Sequence, residues 1–406
     1  MDAFRKEIIE LIDVCRSDRH FLLLSNSLRP WREYVIDFGV GEAPLQLMDI
    51  LFKHYAEYFH KQWGSVRINT QVTPLELAQW LCVKASSVGA EKSFGFFESL
   101  IENPQVPLYV VSLVDRIEVK ETLHFDDKTY LCNFLGLPPS IQFQANRMWD
   151  QDRRACSAEQ PVFIVTELTD TILGDNDLNM SSGSVAPYSL ETLRHIELNC
   201  FLSLFSNRTG SRVHRQCYVY GDDVPCSGVM NLFHGAYSFV NLSNWCGELS
   251  VDSADQIRQL YKKFMSLSKS VQNSLKVSLH RKSKALSSYV SVDAAIDLGI
   301  CAESVLTPKD SSEQLALQVR VLGSKLATDD PVLRAEYYHY LKAFYGIRSS
   351  AVHNGEVKNT YTVKYLGKEE THKIIMKTSE ILSACLIKVI EQGGLDDEQK
   401  EKLLYS

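Results

Sequence analysis

The sequence lacks any apolar run of the roughly 18 residues that a membrane-spanning helix requires, and its best candidate, Pro107–Val114, is only as long as a β-strand. The first twenty residues mix acidic and basic side chains and have no apolar segment of the kind found in secretory signal peptides. The ten cysteines form no Cys-x-x-Cys pair, which is typical of reduced thiols rather than of a disulfide scaffold. We therefore expect a cytoplasmic protein without a membrane partner.

What is present is an ordinary globular composition. The chain has 406 residues, of which 45% are hydrophobic and 23% charged, and its formal net charge is -7. Such a composition excludes a collagen, a disordered chain and a small disulfide-rich fold. At about 150 residues per domain, the length predicts two or three domains.

Residues 1–250 mix helical and strand-like patterns, and we treat them as one mixed α/β region with a candidate subdomain boundary near residue 125. The predicted helices are 2–15, Pro44–Lys61, Pro74–Ala85 and Ser189–Phe205, and the predicted strands are Pro107–Val114, Thr129–Phe134, Pro161–Leu168, Arg212–Tyr220 and Ser227–Phe233. Thr73 and Pro74 form a typical helix start, with a capping side chain followed by proline at the first helical position.

From residue 255 onward the pattern is helical. The predicted helices are Gln256–Leu267, Val290–Leu306, Glu313–Ala327, Pro331–Val352 and His372–Glu391. Lys358–Lys368 alternates like a small hairpin or an extended insert, and 393–406 is a short tail. The prediction is an α+β protein in which an all-α helical bundle, residues 255–392, follows the mixed region.

Histidines and cysteines concentrate around one predicted hairpin. Four of them could in principle complete a tetrahedral zinc site: His214, Cys217, Cys226 and His234. Their spacing is not that of a familiar zinc finger, and His214 and Cys217 point to opposite faces of the same strand. Burial of the cysteines as small apolar side chains is the competing interpretation, so we predict no metal site.

Charge is distributed unevenly along the chain. Residues 255–392 carry 20 basic and 14 acidic side chains, a net charge of +6, which leaves -13 for the rest of the chain. Asp255–Lys284 contains eight basic residues and one acidic residue. A basic region joined to an acidic one suggests that one part binds a polyanion, although a solvated helix face would have the same composition. The candidate RNA contacts are Lys262, Lys263, Arg281 and Lys282.

One segment combines residues suited to phosphodiester chemistry. Arg348 and His353 lie five residues apart near the end of a predicted helix, just before Gly355. Arginine is a permanent cation that can bind a phosphate with two hydrogen bonds, and histidine exchanges protons near neutral pH. Hydrolysis of RNA needs a base for the 2′-hydroxyl, an acid for the leaving oxygen and a cation for the phosphorane.

The runs AIDLGICAESVL and FYGIRSSAVHNGE, with the helices between them, resemble a HEPN domain. The mark of that family is an arginine and a histidine separated by four to six residues on the penultimate helix. The acidic helix ending in AES-L, followed by Y-x-x-R-S-x-x-x-H-x-G, is most similar to the C-terminal domain of ApeA-type proteins, which are associated with bacterial abortive infection against phage. The resemblance covers about 255–392.

The resemblance implies a toxic, metal-independent endoribonuclease that needs no cofactor and acts on RNA, with tRNA as one candidate. It implies that Arg348 and His353 are catalytic, that Glu303 is an acidic residue able to orient them, and that Ser349 stands where many members carry asparagine. For Glu303, a simple ion pair with an arginine across the bundle is the favoured alternative role. We expect Tyr345 to pack in the core.

HEPN nucleases typically act as dimers, so we expect a homodimer. The N-terminal region is then expected to sense a phage-derived trigger. The alternative is a non-catalytic HEPN module that serves as a dimerisation or RNA-binding scaffold.

Overall fold

The chain has an α+β architecture in which two groups of helices pack against the same face of an antiparallel sheet. In the computed structural model, the described residues are 3–17, 41–61, 63, 72–138, 141–142, 145–146, 149–150, 160–173, 190–205, 211–221, 224–225, 231–233, 247–249, 251–288, 290–308 and 314–405. Every helix within these residues is too short or too polar to cross a lipid bilayer.

Three of the four N-terminal helices in the described residues follow the predicted pattern. They are α1 (Ala3–Arg16), α2 (Glu42–Phe59), α3 (Pro74–Val88) and α4 (Ala90–Glu102). The predicted start of α3 is confirmed, because Thr73 accepts a hydrogen bond from the backbone N–H of Glu76 while the Glu76 carboxylate accepts one from the Thr73 backbone. This reciprocal capping box satisfies two backbone donors that the first helical turn would otherwise leave unpaired. Helix α4 was not predicted.

The sheet joins segments from both sides of residue 125. Its strands are β1 (Gln105–Asp115), β3 (Leu123–His124), β4 (Thr129–Asn133), β5 (Val162–Thr171), β6 (Arg212–Tyr220) and β7 (Asn231–Phe233), in the order β3-β4-β5-β1-β6-β7. A separate parallel pair consists of β2 (Ile117–Val119) and β8 (Gly247–Leu249). The candidate subdomain boundary near 125 is therefore wrong: that position lies between two paired strands of a single sheet.

Helices dominate the C-terminal region. After α5 (Leu190–Leu202) come α6 (Val251–Ser266), α7 (Lys269–Ser287), α8 (Ser291–Leu306), α9 (Leu315–Ala327), α10 (Pro331–Asn354), α11 (Thr371–Glu391) and α12 (Asp397–Tyr405). A two-stranded hairpin, β9 (Thr360–Val363) and β10 (Gly367–Glu370), connects α10 to α11. Within the described residues from 251 to 405, this hairpin is the only strand structure among the helices. Helix α7 was not predicted, because its buried face includes polar residues and lacks a clear apolar stripe.

Local signals set the ends of α10, the helix that carries the candidate site. The Asp330 carboxylate accepts hydrogen bonds from the backbone N–H groups of Val332 (2.7 Å) and Leu333 (3.3 Å), and Pro331 occupies the first helical position. Gly355 ends the helix in the left-handed conformation, with φ of 69°, which glycine adopts without the steric cost of a Cβ atom.

One face of the sheet contacts two apolar clusters with a polar network between them. On β1, Val110 belongs to the cluster with the N-terminal helices, whereas Val114 belongs to the cluster with the C-terminal helices. Ser112 lies between them on the same face, since side chains alternate along a strand. Its hydroxyl is 2.7 Å from Nδ1 of His195 on α5, and Nε2 of that ring is 2.8 Å from the Thr166 hydroxyl on β5.

The sheet and the C-terminal helices share one core. A continuous cluster of buried residues includes Val114 and Ile164 from the strands, Phe201 from α5, and Leu298 and Phe344 from the C-terminal helices. The predicted boundary at 250–255 coincides with the start of α6, but the apolar core continues across it. The core formed by residues 255–392 is therefore continuous with the core under the sheet.

Burial of His195 predicts a specific dependence of stability on pH. Burial, together with nearby Arg194, lowers the pKa of His195 to about 3, whereas an unfolded histidine has a pKa of about 6.5. As pH falls below about 6.5, the unfolded chain binds a proton there and the folded chain does not. The free energy of unfolding should therefore decrease with falling pH, by up to about 1.4 kcal/mol per pH unit from this group.

Denaturant titrations between pH 6.5 and 4.5, on the wild type and His195→Gln, check this. Glutamine cannot take up the proton, so the variant should show the shallower pH dependence. Equal slopes would contradict the assignment of a neutral buried imidazole.

Candidate functional site

The candidate site lies where α10 packs against α8. Both helices belong to the shared core, and the aliphatic stem of Arg348 on α10 crosses α8 at Gly299. A Cβ atom added at Gly299 would lie 2.7 Å from Cγ and 3.2 Å from Nε of Arg348. Real Cβ atoms essentially never make a contact as short as the first distance, and they rarely make one as short as the second. Glycine at 299 therefore leaves the space that the arginine side chain occupies.

The head of Arg348 is held by a carboxylate on the same helix α8. Its Nη2 atom lies 2.9 Å from Oε1 and 3.2 Å from Oε2 of Glu303. The two side chains are 24% and 21% exposed, so the ion pair is screened less than one on the open surface. Within the described residues the other guanidinium nitrogens make no hydrogen bond, which leaves donors available for a ligand.

Tyr345 completes this group, and its role was not predicted. Its hydroxyl donates a hydrogen bond to Glu303 Oε1 at 2.5 Å, and the Arg348 guanidinium carbon lies 5.5 Å from the centre of its ring. Burial and the Glu303 carboxylate raise the pKa of Tyr345, so the hydroxyl stays protonated and donates. The expectation that Tyr345 simply packs in the core is therefore incomplete. Residues three positions apart are neighbours on the surface of a helix, so the spacing of Tyr345 and Arg348 could have indicated that the two side chains share a partner.

His353 is separated from this group. It lies in the last turn of α10, its side chain is exposed, and within the described residues it makes no hydrogen bond or ion pair. Five residues along an α-helix correspond to a rotation of about 140° and a rise of about 7.5 Å, so Arg348 faces α8 while His353 faces solvent. Ser349 is also exposed. The structure thus places Glu303 with Arg348 and leaves His353 accessible to solvent nearby.

The four candidate RNA contacts fall into three different environments. Lys262 and Lys263 are exposed on α6. Arg281 pairs with the buried carboxylate of Asp297, at 2.8 Å. Lys282 is fully buried and donates a hydrogen bond to the backbone carbonyl of Ser203 at 2.5 Å.

The prediction for Lys282 is therefore wrong, because its ammonium group lies in the core and cannot reach a phosphate. Burial lowers its pKa to about 7, as expected when a cation loses its hydration.

Two of the four zinc candidates lie within the described residues. His214 and Cys217 lie on β6, while Cys226 and His234 lie outside the described residues. Burial raises the pKa of Cys217 to about 12, which favours the neutral thiol over the thiolate that zinc requires. Among the described residues, no group of three or more potential ligands could hold a metal ion.

The contact between Gly299 and Arg348 can be tested with a matched pair of glycines. Gly346 lies on α10, is exposed, and has no atom within 4 Å of an added Cβ. Gly346→Ala should raise the free energy of unfolding by about 0.5–1 kcal/mol through helix propensity. Gly299→Ala should lower it, since the new methyl group overlaps the arginine stem.

Removing that stem supplies the control. The double variant Gly299→Ala/Arg348→Ala should lose less stability than the sum of the two single variants, as measured by denaturant titration. Additive losses would show that the arginine stem does not pass over Gly299.

Comparisons with family models, with curated proteins and with solved structures find no match to this chain. Its function must therefore be argued from the geometry of its own residues.

Proposed function

We propose that this protein is a metal-independent endoribonuclease of the HEPN class. The observation that carries the proposal is the arrangement at the end of α10: Arg348 is held in place by Glu303, with donors unused, and His353 is exposed a few residues further on. The resemblance of the FYGIRSSAVHNGE segment to the HEPN motif points to the same pair.

The two side chains would divide the chemistry between them. The Arg348 guanidinium would bind the scissile phosphate and stabilise the negative charge that builds up on the phosphorane. His353 would transfer protons, as a base when neutral and as an acid when protonated. Glu303 and Tyr345 would act as positioning residues, because they reach the substrate only through Arg348.

Each chain supplies one histidine, whereas in-line cleavage is best served by an acid and a base on opposite sides of the phosphate. A two-fold dimer brings a surface patch against its own copy, so a homodimer that apposes the ends of α10 would provide the second histidine. RNA with an unpaired loop fits such a cleft because its bases can splay apart. Transfer RNA is one candidate substrate.

We further propose that the enzyme is toxic to its own cell and acts in abortive infection, restrained by the N-terminal region until a phage-derived trigger is sensed. Support comes from the net charge of -13 outside residues 255–392, which would compete with RNA for the basic surface. The shared core provides a physical connection, since α5 packs against α7, and α7 packs against α8, which carries Glu303.

The alternative function is a non-catalytic HEPN scaffold for dimerisation or RNA binding. The observation in its favour is that Arg348 forms an ion pair across two helices and makes no hydrogen bond with His353, as a purely structural arginine would. The two functions differ in whether RNA is cut.

Cleavage assays in excess EDTA, with total RNA and with purified tRNA, distinguish them. The wild type should cut RNA, and His353→Ala should lower the rate by about 10²–10⁴-fold, the usual contribution of a positioned acid or base. His372→Ala is the matched control, because His372 is another exposed histidine near a helix end. Cleavage that is absent from the wild type, or equal in all three proteins, would support the scaffold.

Arg348→Ala should also abolish cleavage, but it must be read with a fold control. This substitution leaves the half-buried Glu303 carboxylate without its cation, so stability should fall. His353→Ala removes an exposed side chain and should change stability by only about 0.5 kcal/mol. Arg348→Lys keeps the charge but loses the planar donor geometry, so a folded but inactive Arg348→Lys would tie the defect to phosphate recognition.

The products identify the nucleophile. If the 2′-hydroxyl attacks, fragments should end in 2′,3′-cyclic phosphates, and a single 2′-deoxy substitution at the cut should block cleavage there. Mass spectrometry of the fragments and sedimentation of the active protein check the two parts of the mechanism. A 3′-hydroxyl product, or full activity from a strict monomer, would contradict it.

A further inference from the structure

The hairpin between α10 and α11 displays an aromatic side chain at its tip. Tyr365 is 81% exposed, and its ring meets the His339 ring of α10 edge-on, at 5.3 Å between centres and 74° between planes. His339 in turn meets Tyr338 at 5.4 Å and 87°. We call Tyr338, His339 and Tyr365 the aromatic platform.

The backbone at Tyr365 is held in a conformation that bulky residues rarely adopt. Its φ is 72°, in the left-handed region where a Cβ atom is unfavourable. The tight turn around it is closed by a hydrogen bond from the backbone N–H of Leu366 to the carbonyl of Val363 at 3.1 Å. Glycine or asparagine would suit this position better, and an exposed ring contributes little to the core. The conformation of Tyr365 therefore lowers the stability of the turn while it keeps the ring exposed at the tip of the hairpin.

Positive charge surrounds the platform. The Lys364 ammonium lies 4.7 Å from the centre of the Tyr365 ring, and the Arg320 guanidinium carbon lies 5.5 Å from that of Tyr338. Residues 358–368 contain three lysines and no acidic residue. Burial, with Lys364 and Lys342 nearby, lowers the pKa of His339, which favours a neutral ring. Aromatic rings combined with cations are typical of surfaces that bind single-stranded nucleic acid.

His339 of the platform and His353 lie along one face of α10. Lys342, Gly346, Ser349 and His353 are all exposed and recur every three or four residues after His339, the spacing that keeps side chains on one side of a helix. From His339 to His353 the helix rises about 21 Å. At the rise of about 3.4 Å per nucleotide of a stacked strand, this distance corresponds to about six nucleotides, and to fewer in an extended strand.

We infer that the aromatic platform is a binding site for an unpaired base of single-stranded RNA, whose strand then follows the exposed face of α10 to His353. The inference rests on the proposed ribonuclease function and names the form of its substrate: an unpaired segment several nucleotides long. Lys342 and Lys364 would bind the intervening phosphates.

Binding can be measured without cleavage by using the full chain with His353→Ala as the parent. The probe is a fluorescent, unstructured RNA of 12 nucleotides, titrated at low salt. Adding Tyr365→Asn should raise the Kd by roughly 5- to 100-fold, the effect of losing one base–aromatic stack. Asparagine tolerates the left-handed backbone, so the turn should keep its shape, and melting temperatures check the fold.

Two controls make the result specific to the platform ring. Tyr365→Trp should bind as tightly as the parent or tighter, because it keeps a stacking surface. Tyr405→Asn should leave the Kd unchanged, since Tyr405 is an equally exposed tyrosine, at 89%, on another helix. Three outcomes would overturn the inference: an unchanged Kd in Tyr365→Asn, equal losses of affinity in Tyr365→Asn and Tyr405→Asn, or no RNA binding by the parent. The first outcome would leave a protein as the candidate partner of this exposed surface.

Cleavage by the protein with His353 intact separates the two proposals. Tyr365→Asn should reduce kcat/KM on the 12-nucleotide RNA about as much as it weakens binding, but should not affect a three-nucleotide substrate, which is too short to reach the platform. If Tyr365→Asn cleaves both RNAs as fast as the wild type, the proposal that the platform binds RNA is wrong, but the nuclease proposal is not contradicted. Binding that depends on Tyr365 without any cleavage would support the platform and overturn the nuclease.

Discussion

The hydrogen bonds of the buried His195 side chain couple the helices to the sheet. Its two ring nitrogens contact hydroxyl groups on β1 and β5, and a neutral imidazole satisfies both by donating at one nitrogen and accepting at the other. Because an unpaired polar group in this position would cost about 1–3 kcal/mol, α5 is held in one orientation over the strands. Its opposite side then packs against the C-terminal helices. The packing of the C-terminal helices against the sheet depends on this orientation.

A second buried polar contact continues the connection. The Lys282 ammonium on α7 donates to the backbone carbonyl of Ser203, just after α5. A fully buried lysine needs such a partner, since transferring a cation from water into the core is strongly unfavourable. The N-terminal sheet, α5 and α7 therefore form one packed unit, and α8 with the candidate site lies directly on α7.

The site itself combines one rigid and one accessible component. Gly299 leaves space for the stem of Arg348, and Glu303 and Tyr345 hold its head. These contacts restrict the arginine before any substrate arrives, so little conformational entropy remains to be lost on binding. His353 has no such restraint and faces solvent beside the same helix end. In the proposed ribonuclease, the fixed cation would bind the phosphate and the accessible histidine would transfer protons. His339 of the aromatic platform lies on the same helix face as His353.

Local interactions made much of this structure predictable, and long-range ones did not. Helix periods, the capping box at Thr73 and the ends of α10 depend on residues within a few positions of one another. The sequence by itself therefore determined most helices, the main strands and the place of Arg348 and His353 near the end of one helix. It could not determine that Lys282 is buried, because the basic composition of residues 255–284 is the same whether their side chains are buried or exposed. Nor could it determine that Tyr345 binds Glu303, or that Tyr365 meets His339. Those outcomes depend on how distant helices pack, and only the tertiary structure decides which polar groups lose water and find partners.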